Sequence, residues 1–352
     1  MSWSDVGYAE ASYDNADQLD YRFREGLMHV LRDAVAPSVG SGWKAVYSGL
    51  DFWGKGIFLL AATVPDEAGS GRAGAAGDAL PDALPERGMA VWREGTFTPL
   101  PDLPEVADLV DYGPHGYVFA SRSINSDSGE EGGPQAENVW IGDPDGRVIR
   151  SISVGSQFSH LAVDDAGALW VGYRDQAGLW APPPGAGRQD LAGGVLLPGI
   201  CCWLADGHLS WVLSTDSGAA DVGFHCYALN VSMAGVVAAV DLDNSVVTLD
   251  RGGKTTFKPT KNQSPFGLAV RGDHVLLLGR FEWPKRRGGP LSGFDVATRY
   301  EVTEAGLDLI EEARVVLPDG SPLPGVPQGV CSRGDSILMH FGDVARPFIL
   351  SL

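Results

Sequence analysis

Histidine, arginine and carboxylate residues recur where apolar runs of this chain end. Arg122, Tyr173, Arg174, Asp175, Asp241, Arg280, Glu282, His340 and Asp343 each follow such a run, and Gln157, His160, His225, Gln263 and Gln328 stand at or just before the start of another. Groups of mixed sign at matching positions can hydrogen-bond one another or a common ligand. A histidine titrates near neutrality, so His160 and His340, with Asp175 and Glu282, are the candidates for general acid–base chemistry. Arg122, Gln157, Tyr173, Arg174, His225, Asp241, Gln263, Arg280, Gln328 and Asp343 are the candidates for ligand binding.

Other motifs carry less. RGGKTT at 251–256 ends like a phosphate loop, but Thr248 stands where the first glycine belongs, and the segment falls in a hairpin turn. RGD occurs at 271–273 and 333–335, both times in matching turns, and reads as turn chemistry. DPDG at 143–146 also reads as a turn. No G-x-S-x-G, H-E-x-x-H or cysteine-rich zinc pattern is present. A metal site from His160, His225 and His340 lacks a carboxylate pattern to complete it, so neither metal nor cofactor is expected.

The elements that must position these residues are strands. A half-apolar strand, a tight turn closed by glycine and a more apolar strand recur at 44–63, 107–121, 158–173, 227–240, 266–279 and 329–341, with turn glycines Gly56, Gly116, Gly167, Gly235, Gly272 and Gly334. Glycine supplies the positive φ that such turns require. A second hairpin series interleaves at 90–100, 138–154, 201–213, 245–259 and 300–316. Each unit therefore holds four antiparallel strands, a to d, and that repeat is the signature of a β-propeller. The second strands IFLLAA, VVAAV and VLLLG are apolar on both faces, as strands between neighbouring blades should be. LDLIEEARV resembles a short helix, but the repeat frame makes it a strand.

The sixth unit ends in RPFILSL at 346–352 without a fourth strand, and LMHVLRDAV at 27–35 precedes the first unit unpaired. Pairing them closes a ring and hides the edges that an open array would expose. The expectation is one all-β domain over 1–352. It is a six-bladed propeller of four-stranded blades at 44–100, 107–154, 158–213, 227–259, 266–317 and 329–352, with seven blades as the alternative if 1–26 or 64–88 hide strands.

Insertions fall between strands b and c, at 64–89, 122–137, 174–200 and 281–292, and so crowd one face. Insertions confined to one face mark a binding face. Its partner is either a small molecule in the axial funnel or a protein or peptide laid across the loops, with FEWPKRRGG (281–289) as anchor.

Composition sets the outer limits. The 352 residues carry a net charge of −19, which disfavours nucleic acid and anionic membranes as partners. No run is long and apolar enough to span a bilayer, and the polar, acidic start lacks the features of a signal peptide, so a cytoplasmic location is expected. The four cysteines, Cys201, Cys202, Cys226 and Cys331, read as reduced, buried apolar residues. Abundant alanine and glycine hint at a bacterial source.

HLAVDDAGALWVGYRD (160–175) resembles the VDPDGRLWVG blade core of the six-bladed superfamily that holds gluconolactonase-like lactonases, strictosidine-synthase-like proteins and NHL-repeat proteins. SPFGLAVRGDHVLL (264–277) resembles its NGLAFSPDG strand. The resemblance implies the architecture. It does not extend to the lactonases' cation ligands: Phe266, Ser159–His160 and Gln328 stand where Asn or Asp is expected. An enzyme of this kind would use histidine and carboxylate acid–base chemistry, of lyase, hydrolase or cyclase type.

Overall fold

The computed structural model describes residues 28–35, 37, 42–63, 88–122, 137–155, 158–173, 199–213, 225–241, 244–251, 253–262, 264–280 and 293–352. Strands dominate, and no α-helix occurs among the described residues.

Their hydrogen bonds group into six antiparallel units, each ordered as the chain runs. The first holds Trp43–Leu50, Gly56–Ala62, Met89–Arg93 and Thr96–Leu100, and the second Leu109–Gly113, Gly116–Ala120, Val139–Gly142 and Val148–Ile152. The third holds Phe158–Val163, Leu169–Tyr173, Ile200–Trp203 and Leu209–Val212, and the fourth Cys226–Ser232, Gly235–Val240, Ser245–Leu249 and Thr255–Pro259. The fifth holds Gly267–Arg271, His274–Leu278, Val296–Val302 and Leu307–Val316, the last being the LDLIEEARV stretch as a strand. The sixth holds Gly329–Arg333, Ser336–His340 and Phe348–Ser351, completed by Arg32–Asp33 from the other end of the chain.

The first strand of every unit contacts the first strand of the next, and that of the sixth returns to the first. The chain is therefore a β-propeller, with these inner strands around its axis. The segments 1–26 and 64–88, which would hold the strands of a seventh blade, lie outside the described residues apart from Gly88.

Closure at the seam takes two blades rather than one. Met28–Val30 pairs in parallel with Arg314–Val316 on the outer edge of the fifth blade. Leu31 N–H then donates to the Val316 carbonyl at 2.9 Å, and Arg32–Asp33 pairs antiparallel with Phe348–Ile349 in the sixth. Leu31 itself is buried in the cluster between those two blades. One short segment so fastens both sides of the seam and covers part of two strand edges.

The apolar core is divided among the blade interfaces. Among the described residues six clusters fill them, one per interface, from Leu59, Val91 and Tyr117 between the first two blades to Phe58 and Leu60, packed with Val344 and Ala345, between the sixth and the first. This is why the second strands are apolar on both faces: Phe119 and Val118 of one strand enter different clusters. Burying each such side chain contributes about 1.5–3 kcal/mol.

The hairpin turns rest on two devices. Gly116 and Gly235 have φ of 121° and 129°, and a Cβ there would lie 2.3 and 2.5 Å from a carbonyl oxygen of the neighbouring strand. Elsewhere an aspartate closes the turn: the Oδ1 atoms of Asp51, Asp143 and Asp164 each accept two backbone N–H groups further along the turn. Asp164 Oδ2 also accepts the Trp170 indole N–H at 2.9 Å.

Candidate functional site

A cavity of about 210 Å³ lies on the axis, lined by the inner strands of the first four blades and the sixth. It is closed at the hairpin end. Arg333, the last residue of the sixth inner strand, is 2% exposed there. Its Nε donates to the Asp51 carbonyl at 3.1 Å, and its Nη1 to the carbonyls of Val163 and Val231 at 3.1 and 2.9 Å. Its Nη2 donates to Asp111 Oδ2 at 2.7 Å, and the guanidinium lies 5.5 Å from the Phe52 ring centre. One side chain thus joins the sixth blade to the first four. The fifth is joined by Asn230, whose Nδ2 donates to the Leu268 and Gly334 carbonyls, and by Ser332, whose Oγ accepts Leu268 N–H.

Asp111 is fully buried. Burial pushes its carboxyl above the usual range, opposed by Arg333 and by the N–H groups of Val163 and Tyr112. Those donors lie at 2.7 and 2.8 Å, so the carboxylate acts as an acceptor on every side described. Above this floor lie Tyr47 and Cys331. Burial drives the Tyr47 phenol well above 10 and raises the Cys331 thiol. Both groups stay protonated at neutral pH and act as polar lining rather than as nucleophiles.

Four of the residues singled out in the sequence line the cavity: His160, His340, Arg122 and Gln328. His160 is aimed by a β-bulge. The register of Phe158–Val163 against its neighbour slips between Phe158 and His160, leaving Ser159 as the extra residue. The inner strands of the first and fourth blades slip at the same place, after Ala45 and after Cys226. His160 Nε2 lies 3.0 Å from the carbonyl of Tyr227, the bulged residue of the fourth blade. A carbonyl can only accept, so Nε2 carries the proton, and in the neutral ring Nδ1 is the basic nitrogen.

His340 ends the second strand of the sixth blade. Burial, reinforced by the Arg122 cation and opposed by Asp343, lowers its pKa below 6.5, so the ring is neutral at pH 7. Its Nδ1 is buried without a hydrogen-bond partner among the described residues. Arg122, at the matching exit of the second blade, donates from its backbone N–H and its Nε to the two carboxylate oxygens of Asp108, at 3.0 and 3.2 Å. Gln328 donates its backbone N–H to the His340 carbonyl at the start of the sixth inner strand.

Other candidates lie elsewhere. Tyr173 is not among the residues that line the cavity. It is fully buried between the second and third blades, its hydroxyl donates to the Val154 carbonyl at 2.5 Å and accepts the Trp203 indole N–H at 3.2 Å. Its strand-end position turns the ring into a blade interface rather than onto the axis. Arg280 pairs with Glu312 at 3.0 Å within the fifth blade, away from the cavity lining. His225 stacks on Tyr227 at 4.6 Å and its backbone N–H is capped by Asp241 at 2.9 Å, behind the wall that receives His160. Asp343 caps Ala345 N–H at 3.0 Å beside His340. Gln157, Arg174, Asp175, Gln263 and Glu282, and most of the inserted loops including 281–289, lie outside the described residues. Among the described residues no three His, Cys, Asp or Glu side chains gather closely enough to hold a metal ion.

The floor was missed from sequence. Asp111, Tyr47 and Cys331 sit inside apolar strands and look like ordinary strand residues. Arg333 stands in the RGD that reads as a turn, and Gly334 does turn there with φ of 54°. Arg271, at the matching place in the fifth blade, is exposed, so the local pattern does not separate plug from surface residue.

No family model matches the chain, and no curated protein matches it in sequence. Solved structures similar to it are far in sequence. A catalytically inactive variant of virginiamycin B lyase from Staphylococcus aureus, with quinupristin, is 10% identical at a TM-score of 0.41, covering 92% of this chain and 99% of that one. The WD40 domain of Pan2 from Neurospora crassa is 10% identical at a TM-score of 0.44, covering 92% and 97%. A structure described as a putative gluconolactonase is 14% identical at a TM-score of 0.37, covering 92% and 97%.

Proposed function

We propose that this protein binds a small polar molecule in the axial cavity, on the side away from the Arg333 plug. The observation that carries the reading is His340: a neutral, partly buried imidazole whose Nδ1 has no partner among the described residues, on a cavity wall it shares with Arg122 and His160. Polar groups held out of water at a concave surface are the mark of a ligand site. The closed floor makes the site a blind funnel and not a channel. In a reaction, His160 Nδ1 would be the basic nitrogen of one wall and His340 the second proton acceptor, which suits acid–base chemistry of lyase, hydrolase or cyclase type. Asp175 and Glu282, on the loops that follow two blade exits, are the carboxylates proposed to join them.

The test is to equilibrate the protein with a small-molecule cell extract and identify what is retained by native mass spectrometry. Retention of a defined small molecule, lost in His160→Ala and His340→Ala variants that keep the wild-type melting temperature, supports the reading. Retention unchanged by both substitutions would place the ligand elsewhere.

A further inference from the structure

The charges around the cavity are not balanced evenly. Asp111 is the carboxylate of the described wall, and Arg333 and two backbone N–H groups occupy it. Arg122 is held differently. Asp108 takes its Nε and its backbone N–H, which fixes the plane of the guanidinium from behind. Its Nη1 and Nη2 have no partner among the described residues, and the side chain is 41% exposed. A planar fork of donors, pre-positioned by its own carboxylate and reachable from solvent, matches a planar oxyanion in two-point contact. Beside it stands His340, close enough for the Arg122 charge to bear on its titration. An anion seated on Arg122 would offset that charge.

We infer that the cavity ligand carries an oxyanion, a carboxylate or a phosphate, which the Nη groups of Arg122 receive beside His340. The inference rests on the axial-cavity reading and names the chemical class it takes. It runs against the bulk electrostatics: a chain of net charge −19 repels anions in general, so an anion site here is local and built. The Asp108 pair supplies the building, since it trades part of the cation's attraction for a fixed orientation.

The experiment titrates benzoate, benzamide and inorganic phosphate into the protein and follows the His340 and His160 ring resonances by NMR. Benzoate and benzamide share shape and differ in charge. Expected are saturable shifts of the His340 resonances with benzoate or with phosphate, benzamide weaker by about tenfold or more, as the loss of a charge-assisted pair implies. Arg122→Gln abolishes the shifts while the melting temperature stays within a few degrees, and Arg122→Lys restores part of them. Phosphate shifting His340 where benzoate does not assigns the seat to phosphate esters, and the converse to carboxylates. Equal shifts from benzoate and benzamide overturn the oxyanion inference and leave the cavity reading standing. If neither anion shifts His340, the oxyanion inference fails, and the extract experiment decides the cavity alone.

Discussion

Arg333 Nη2 lies 2.7 Å from Asp111 Oδ2 at the centre of the molecule, and the two residues are 222 positions apart in the chain. The pair is almost fully desolvated, at 2% and 4% side-chain exposure. It seals the hairpin end of the axis and, with the carbonyls of Asp51, Val163 and Val231, ties the sixth blade to the first four through one side chain. Breaking such a pair from one side strands the other charge and its donors.

Arg333→Met should therefore destabilise the protein by about 3–5 kcal/mol, read from urea unfolding. Adding Asp111→Asn to it should recover part of that loss, because the unpaired buried charge is then gone. A loss under about 1 kcal/mol for the single variant would show that the plug does not hold the ring.

Tyr173→Phe keeps the ring and removes the hydroxyl shared by Val154 and Trp203. The expected cost is about 1–3 kcal/mol, with ligand retention unchanged. Loss of ligand at full stability would return Tyr173 to the site.

His340 gives a pH signature. Its folded pKa lies below 6.5, so the unfolded chain takes up the proton first as pH falls. The stability that this ring contributes is complete above pH 6.5 and is lost as pH drops from 6.5 through the folded value. His340→Gln should flatten this part of the stability–pH curve. An unchanged slope would mean that the ring is not desolvated.

The architecture was legible because a turn repeats. Gly116 and Gly235 are required by φ and by carbonyls less than 3 Å from a missing Cβ; Gly167, Gly272 and Gly334 share the positive φ alone, and in the first unit Gly54 rather than Gly56 takes it. The rim of the cavity was legible in part for the same reason: Arg122 and His340 both stand where the second strand of a blade ends, and both line the cavity. Tyr173 stands at an equivalent exit too, yet it enters a blade interface, held there by the Val154 carbonyl and the Trp203 indole, partners that the repeat pattern does not show. The floor was hidden for another reason. Arg333 works through partners drawn from four other blades, and contacts that long in sequence leave no periodic trace.

Gly329→Ala probes His340 without touching it. A Cβ at Gly329 would lie 2.2 Å from His340 Nε2, and the backbone there is outside the left-handed region, so the chain can accept alanine while the ring must move. The expected outcome is a shift of the His340 resonances and weaker ligand retention at near wild-type stability. Ligand retention equal to wild type would separate His340 from the site.

The axial funnel is the place proposed for this protein's ligand. The most direct measurement is native mass spectrometry of the protein after equilibration with cell extract, compared across wild type, His160→Ala and His340→Ala. One small molecule retained by wild type and lost from both variants at unchanged melting temperature is expected. No retained molecule, or one held equally by all three proteins, would contradict it.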